Sequence, residues 1–236
     1  MIMIKGIYKI ADCVVEINSI YNDVHILCKK YEFNDKAEFY ISTYKDIIDF
    51  EKQKTADDNF SEGYLETLAV LRMISNKLIE KNIILFHGSA LSFSGDGYIF
   101  SAKSGTGKST HARIWRERFG NSVKMINDDK PMIKITDNSA FVYGTPWNGK
   151  HRLGENISAP IKAICFLKRS EVNSIKKTEA LNIYPQLLSQ VYKPTDKALF
   201  EKTLDLLRKL CSCVDFYELE CNMEPEAAEV ALGGMK

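Results

Sequence analysis

The chain has 236 residues, of which 45% are hydrophobic and 27% are charged, and its formal net charge is +1 at pH 7. This length suits one large domain or one domain with an N-terminal extension, and the composition is that of an ordinary folded protein. The near-neutral charge argues against a nucleic-acid-binding surface spread over the whole chain, and no apolar run reaches the length that spans a bilayer. The densest basic cluster, Arg113, Arg116 and Arg118, is interpreted as a solvated helix face. We therefore expect no nucleic acid and no membrane as partners.

The six cysteines show neither a Cys-x-x-Cys pair nor a histidine at zinc-binding spacing. The first residues also lack the apolar core of a secretory signal peptide. Cysteines without a disulfide framework are typical of reducing compartments. We therefore expect a reduced, cytoplasmic protein.

Residues 1–60 are predicted to form a β-rich region of unknown role, and residues 61–236 are predicted to form a second domain. Asn and Asp turns separate four short runs of β-favouring residues, at positions 7–10, 13–17, 24–28 and 38–42. Residues 46–60 are polar and charged, which predicts a connector. No residue of this first region indicates a particular chemistry.

A predicted helix followed by a strand opens the second domain. Residues 64–82 carry apolar side chains at spacings of three and four, which is typical of an amphipathic helix. Residues 83–86 are apolar on both faces, which predicts a buried central strand. Two further β-favouring runs, 91–93 and 98–100, flank Gly95-Asp96-Gly97, whose turn chemistry predicts a hairpin.

The segment Ser104-Gly105-Thr106-Gly107-Lys108-Ser109-Thr110 follows that hairpin and precedes a predicted helix at residues 111–119. A strand, a glycine-rich loop ending in Gly-Lys-Ser and a helix together form a P-loop, whose backbone N–H groups and helix N-terminus bind phosphate. Lys108 would reach the β- and γ-phosphates, and the Ser109 hydroxyl would join the shell of Mg²⁺. Ala102 stands where the first glycine of the pattern is usual. The segment predicts binding of a nucleoside triphosphate with magnesium.

Charged side chains follow two other predicted strands. Asp128 and Asp129 come after the apolar run 123–126, and His87 follows the run 83–86. Because ligands of α/β proteins bind where strand ends converge, we expect these side chains to lie near the P-loop. One carboxylate there would hold the Mg²⁺, and the other would accept the proton of an attacking hydroxyl.

The rest of the chain alternates between predicted strands and helices. A hairpin is predicted over residues 132–143, and the glycine-rich loop after it contains Trp147, Lys150 and Arg152. A buried strand, two amphipathic helices and a last strand follow, at residues 161–167, 181–191, 197–210 and 214–219.

Three motifs in this order, His87-Gly88-Ser89-Ala90, Ser104–Thr110 and Asp128-Asp129, resemble those of the HPr kinase/phosphorylase and ATP-dependent phosphoenolpyruvate carboxykinase superfamily. The resemblance covers about residues 83–170. It implies an α/β fold with a phosphoenolpyruvate carboxykinase-like P-loop core, in which mixed β-sheets are flanked by helices. It further implies a kinase that uses ATP and Mg²⁺ to phosphorylate a hydroxyl.

The resemblance also implies roles for individual residues. Lys108 would contact the phosphates, Ser109 and Asp129 would hold the metal, and Asp128 would be the general base. His87 would lie near the metal and the reacting phosphate, and the roles of the two aspartates are open to exchange. The loop from Trp147 to Arg152 would face the substrate, where Lys150 or Arg152 would neutralise charge on the transferred group.

Some features depart from the superfamily pattern. Thr110 stands where HPr kinases usually have glutamate, and no counterpart of the oxaloacetate-binding arginines of carboxykinases is present. Short relatives of this type phosphorylate a serine of a lasso-peptide precursor or free serine. We expect a serine of a peptide or protein as phosphoacceptor. Free serine, another small molecule, a non-catalytic nucleotide-binding regulatory module, the reverse reaction and a homo-oligomer remain open.

Overall fold

The chain forms two units, Met1–Leu78 and Ile79–Lys236, and the computed structural model describes residues 3–54 and 59–235. The first unit contains a three-stranded sheet of β1 (Ile4–Ile10), β2 (Cys13–Ser19) and β3 (Phe39–Ser42). Strands β1 and β2 form an antiparallel hairpin, and β3 pairs with β2 in parallel. Ala11 and Asp12 link the hairpin at φ of 50° and 64°, as a two-residue turn between twisted strands requires.

Two predictions for the first unit are wrong. The run 24–28, predicted as a strand, lies in helix α1 (Asp23–Cys28), where Val24 and Cys28 are buried one helical turn apart. The segment predicted as a connector carries helix α2 (Lys45–Lys54), whose Ile48 is buried, and its residues 55–58 lie outside the described part of the chain. Helix α3 (Glu62–Ile79) confirms the predicted amphipathic helix.

The second unit is built on a mixed nine-stranded sheet. Its strands, in chain order, are β4 (Ile83–Leu85), β5 (Ser89–Phe93), β6 (Asp96–Ser101), β7 (Val123–Asn127), β8 (Met132–Ile135), β9 (Ala140–Tyr143), β10 (Ser158–Arg169), β11 (Ser174–Thr178) and β12 (Asp215–Cys221). Their main path is β4-β8-β9-β10-β6-β5-β7, and β12 with its neighbour β11 joins at β10. The contacts β6–β10 and β10–β12 are parallel and the others are antiparallel. The predicted α/β class is confirmed.

Helices cover both faces of this sheet. They are α4 (Lys108–Phe119), α5 (Ala180–Gln190), α6 (Lys197–Cys213) and α7 (Glu226–Gly234). Alternate residues of β10 contribute to the two cores, since Ile164 packs with α5 and α6 whereas Cys165 packs with α4 and α7. No helix among residues 3–54 and 59–235 is long and apolar enough to cross a membrane.

The predicted hairpin before the P-loop is confirmed, because β5 and β6 pair antiparallel along their whole lengths. Strand β4 is buried as predicted, but its central position is wrong, because it lies at the end of the strand path and pairs with β8. The chain after α5 covers its open edge. Leu85 accepts a hydrogen bond from the Tyr192 N–H at 3.0 Å, and the His87 N–H donates to the Gln190 carbonyl at 2.8 Å.

Candidate active site

The segment between β6 and α4 adopts the turn that its glycines permit. Gly105 and Gly107 have φ of 77° and 124°, a region that other residues rarely enter. The first hydrogen bond of α4 runs from the His111 N–H to the Gly107 carbonyl at 2.9 Å, so the helix does not use the N–H groups of residues 108–110. No side chain caps this helix start. The N-terminus of α4 therefore offers several backbone donors to an anion.

Lys108 lies across this turn, and its Nζ donates to the Ala102 carbonyl at 3.0 Å. Burial lowers the pKa of the Lys108 amine, while the carboxylates of Asp129 and Asp128 act in the opposite direction and Lys130 adds to the lowering. The amine is thus partly desolvated, and the negative charges of both aspartates act on it. A positive charge in this position attracts a phosphate strongly, because little water screens it.

Asp128 is buried at the end of β7, and the Ser89 hydroxyl donates to its Oδ1 at 2.6 Å. Its Oδ2 lies against the backbone of Gly149, where an added Cβ would stand only 3.1 Å from that oxygen. One carboxylate oxygen is thus held by a hydroxyl, and a glycine allows the following loop to pass close to the other. The side chain is fixed in one orientation, as a positioned general base must be.

Asp129 has a different environment, since its carboxylate is about one-third exposed and lies between two basic groups. The His87 Nε2 and the Lys130 Nζ are each 3.3 Å from its Oδ1. Burial raises the pKa of this carboxyl, but the hydrogen bond from His87 and the charge of Lys130 outweigh it, and the net pKa is lowered. Asp129 is therefore ionised at neutral pH. His87 thus lies beside Asp129, and its role near the metal and the reacting phosphate stays a prediction.

A buried amide that the sequence analysis did not single out holds this turn in place. The Oδ1 of Asn127 accepts from the backbone N–H groups of Asp129 at 2.8 Å and of Lys130 at 2.7 Å. Its Nδ2 donates to the Thr145 Oγ1 at 3.0 Å and to the Trp147 carbonyl at 3.3 Å. Asn127 thus connects the aspartate turn to the loop after β9.

That loop contains the three residues predicted to face the substrate. Trp147 is 6% exposed and packs inside the protein, whereas Lys150 and Arg152 are exposed on a turn closed by the Arg152 N–H and the Gly149 carbonyl at 3.0 Å. In the described part of the chain, neither the Lys150 nor the Arg152 side chain makes a hydrogen bond or ion pair. The backbone at Gly149 reaches Asp128, and the two cationic side chains extend into solvent.

Three cavities surround the P-loop. One of about 600 Å³ lies between residues 102–106 and the side chains of Gln186 and Gln190. A second, of about 450 Å³, is bounded by the first turns of α4 and by the segments after β10 and β12. A third, of about 300 Å³, contains Ser109 and Asp128. The second cavity adjoins the ends of β10 and β12, the third adjoins the end of β7, and Thr110 lines both.

His111, on the first turn of α4, borders the second cavity and is 2% exposed. Burial lowers its pKa to about 4, so the ring is neutral at pH 7. The Trp115 Nε1–H donates to the His111 Nε2 at 3.0 Å, which places the single ring proton on Nδ1. Within residues 3–54 and 59–235, this buried Nδ1 has no hydrogen-bond partner.

The donors available for a metal ion are the Asp129 carboxylate and the Ser109 hydroxyl. Among the described residues, no three His, Cys, Asp or Glu side chains form a group that would hold a metal by themselves. Magnesium that travels with a nucleotide needs only one or two protein carboxylates, because phosphates and water supply its other ligands. An ionised, partly exposed aspartate whose charge reaches Lys108 of the P-loop fits that mode of binding.

Comparisons with known proteins do not assign the chain to a family. No protein-family model matches the chain, and no curated protein matches it. The chain is similar to the solved structure of the Hpr(Ser) kinase/phosphatase from Coxiella burnetii at 9% identity and a TM-score of 0.37, covering 63% of this chain and 94% of that one. A TM-score of this size does not establish a common fold.

Proposed function

We propose that the chain is a Mg-ATP-dependent kinase that transfers the γ-phosphate to a hydroxyl, of the HPr kinase-like type with a phosphoenolpyruvate carboxykinase-like P-loop core. The observation that supports it most is that the buried carboxylate of Asp128 and the P-loop residue Ser109 line one cavity, with Lys108 in the field of both aspartates. A phosphate-binding loop alone indicates only nucleotide binding. A buried, oriented carboxylate next to it provides what transfer to a hydroxyl also needs.

Bound Mg-ATP would supply the phosphoryl group for transfer. The N–H groups at the start of α4 and the Lys108 amine hold and neutralise phosphate oxygens. Asp129 and Ser109 provide oxygen ligands for the metal. Asp128, fixed by Ser89, accepts the proton of the acceptor hydroxyl, a contribution of about 10²–10⁴-fold in rate. The sequence left open which aspartate is the base and which is the metal ligand. The present assignment is favoured because Asp128 is buried, whereas Asp129 is partly exposed and accessible to a metal ion.

The second cavity is the better place for the nucleoside. It adjoins His111 on α4 and the ends of β10 and β12, whereas Asp128 lines the third cavity. Its walls combine apolar side chains, among them Ile114 and Met223, with the amide of Asn222. An adenine base has apolar faces and polar edges, and the unpaired Nδ1–H of His111 is a donor for such an edge.

The acceptor is proposed to be a serine of a peptide or protein, as in a lasso-peptide precursor. Free serine or another small molecule is the alternative, and the limited size of the cavity at Asp128, about 300 Å³, favours it. A non-catalytic nucleotide-binding module would bind Mg-ATP without turnover. These three functions differ in what becomes phosphorylated.

The test is incubation of the full chain with Mg²⁺ and ATP labelled at the γ-phosphate, together with L-serine or serine-containing peptides. Mass spectrometry then locates any added phosphate. We expect a phosphoserine product that depends on the chain and on Mg²⁺, and none with Lys108→Ala. Binding of Mg-ATP with no product from either acceptor class would favour the non-catalytic module.

A further inference from the structure

The third cavity, at Asp128, is lined by basic side chains as well. Arg113, Arg116 and His151 line it together with Ser109 and Asp128. We infer that the phosphoacceptor carries an anionic group, a carboxylate or a phosphate, that binds to Arg116 and Arg113 while its hydroxyl faces Asp128. This inference rests on the kinase function proposed above, because it names the chemistry of that reaction's acceptor.

The helix register places these arginines at the site. Ser109, Arg113 and Arg116 are spaced by four and three residues on α4, so they lie on one face of the helix. The same face therefore carries the P-loop hydroxyl and both guanidinium groups. The sequence interpretation of this cluster as a solvated face is wrong for Arg116, which is only partly exposed.

The three clustered arginines differ in whether their side chains are already paired. Arg118 pairs with Glu229, and Arg113 pairs with Glu117 at 2.9 Å. The Nε of Arg116 is buried and has no hydrogen-bond partner in residues 3–54 and 59–235. Because buried donors are normally satisfied, a group that binds in the cavity is expected to complete this one. A guanidinium matches the two oxygens of a carboxylate or phosphate.

The charge balance of the cavity also favours an anion. Asp128 must remain a carboxylate to act as base, and alone it would repel an anionic acceptor. Arg116 and Arg113 offset that repulsion, whereas a neutral alcohol would need neither. A free hydroxy acid or amino acid and a peptide serine next to an acidic side chain share this chemistry.

The experiment measures binding of paired probes to the full chain by titration calorimetry, in the presence of Mg²⁺ and a non-hydrolysable ATP analogue. Each pair differs by one anionic group. The pairs are D-glycerate and glycerol, L-serine and L-serinamide, and the peptides Ala-Ser-Asp-Ala and Ala-Ser-Asn-Ala. We expect at least one anionic probe to bind at least about tenfold more tightly than its counterpart, and the pair that responds identifies a free or a peptide-borne anion.

Three variants locate that preference. Arg116→Gln should abolish it, and Arg116→Lys should restore part of it, because lysine keeps the charge but loses the two-pronged geometry. Arg118→Gln, on the same helix but paired with Glu229, should leave it unchanged. Equal affinity within every pair, or a preference that survives Arg116→Gln, would overturn the inference.

Parallel samples with ATP in place of the analogue distinguish this failure from failure of the kinase proposal. If Mg-ATP binds and is turned over while no anionic probe is preferred, only the acceptor inference is wrong. If anionic probes bind through Arg116 but Mg-ATP does not bind, the kinase function is wrong. Circular dichroism of Arg116→Gln and Arg116→Lys shows whether each variant is folded.

Discussion

Asn127 connects the aspartate turn to the loop after β9, which lies 20 residues further along the chain. Its amide accepts from the aspartate turn and donates to the loop that contains Trp147. Both hydrogen-bonding atoms are used, and the side chain is 0% exposed. The orientation of Asp128 and Asp129 therefore depends on a residue that touches neither phosphate nor acceptor.

Asn127→Ala should lower the free energy of unfolding by about 2–4 kcal/mol, because it leaves several buried backbone groups without partners. Urea unfolding at pH 7 measures this loss. Asn138→Ala is the matched control, since Asn138 is exposed in the β8–β9 turn. Equal stabilities of the two variants would show that Asn127 does not hold the turn.

The residues of the site differ in how far the sequence reveals them. Lys108 and the aspartate pair belong to contiguous motifs with a known chemistry, so their proximity could be predicted. Asn127 and Gly149 act through contacts with residues about 20 positions away. Only the fold creates those contacts, and no local pattern of residue types indicates them.

Helix α4 combines a phosphate-binding end with a buried histidine. The pKa of His111 is lowered from 6.5 to about 4 by burial. Between those values the unfolded chain binds a proton at this residue and the folded chain does not, so stability falls as the pH drops from 6.5 towards 4. Above pH 6.5 the contribution is fully present.

His111→Gln should remove this contribution, which is about 3 kcal/mol over the whole pH interval. Urea unfolding at pH 7.0, 5.5 and 4.5 compares the variant with the wild type. The exposed Asn138→Gln, which changes no titratable group, serves as control and should keep the wild-type pH slope. A slope unchanged by His111→Gln would mean that His111 is already protonated in the folded chain.

Strand β10 also contributes to the P-loop at its end. The guanidinium of Arg169 donates to the carbonyls of Gly105 and Thr106, the latter at 3.1 Å. These bonds fasten the carbonyl side of the loop to the end of β10. Preorganisation of this kind strengthens binding, because the ligand need not order the loop.

Arg169→Gln should weaken Mg-ATP binding by about five- to tenfold, which corresponds to about 1 kcal/mol for partly exposed, charge-assisted bonds. Titration calorimetry measures the affinity. Lys177→Gln removes a similar surface charge that pairs with Asp215 on β12, and it should have no effect. An undiminished affinity in Arg169→Gln would contradict the role of this arginine.

Helices and strands could be predicted where the periodic pattern of their apolar residues is long and regular. Long periodic helices such as α3 and alternating hairpins such as β5–β6 could be predicted. The composition of the short run 24–28 fits either a strand or a helix. It forms helix α1, in which Val24 and Cys28 are buried on one face. The edge position of β4 could not be predicted, because the segment after α5 that shields it is distant in sequence.

The unit Ile79–Lys236 contains every residue proposed to bind phosphate, metal or acceptor. The site joins residues from after β4, β6 and β7 with the loop after β9. We propose that the P-loop and the aspartate pair act together as one phosphotransfer site. Nucleotide binding and turnover should then depend on different residues.

The most direct measurement compares Mg-ATP affinity and phosphotransfer rate in wild type, Asp128→Asn and the surface control Asp137→Asn. Asp128→Asn should bind Mg-ATP within about twofold of wild type and lose about 10²–10⁴-fold in transfer rate, because only the proton acceptor is removed. Asp137→Asn should match wild type in both. A transfer rate near wild type in Asp128→Asn, or no Mg-ATP binding by the wild type, would contradict the account.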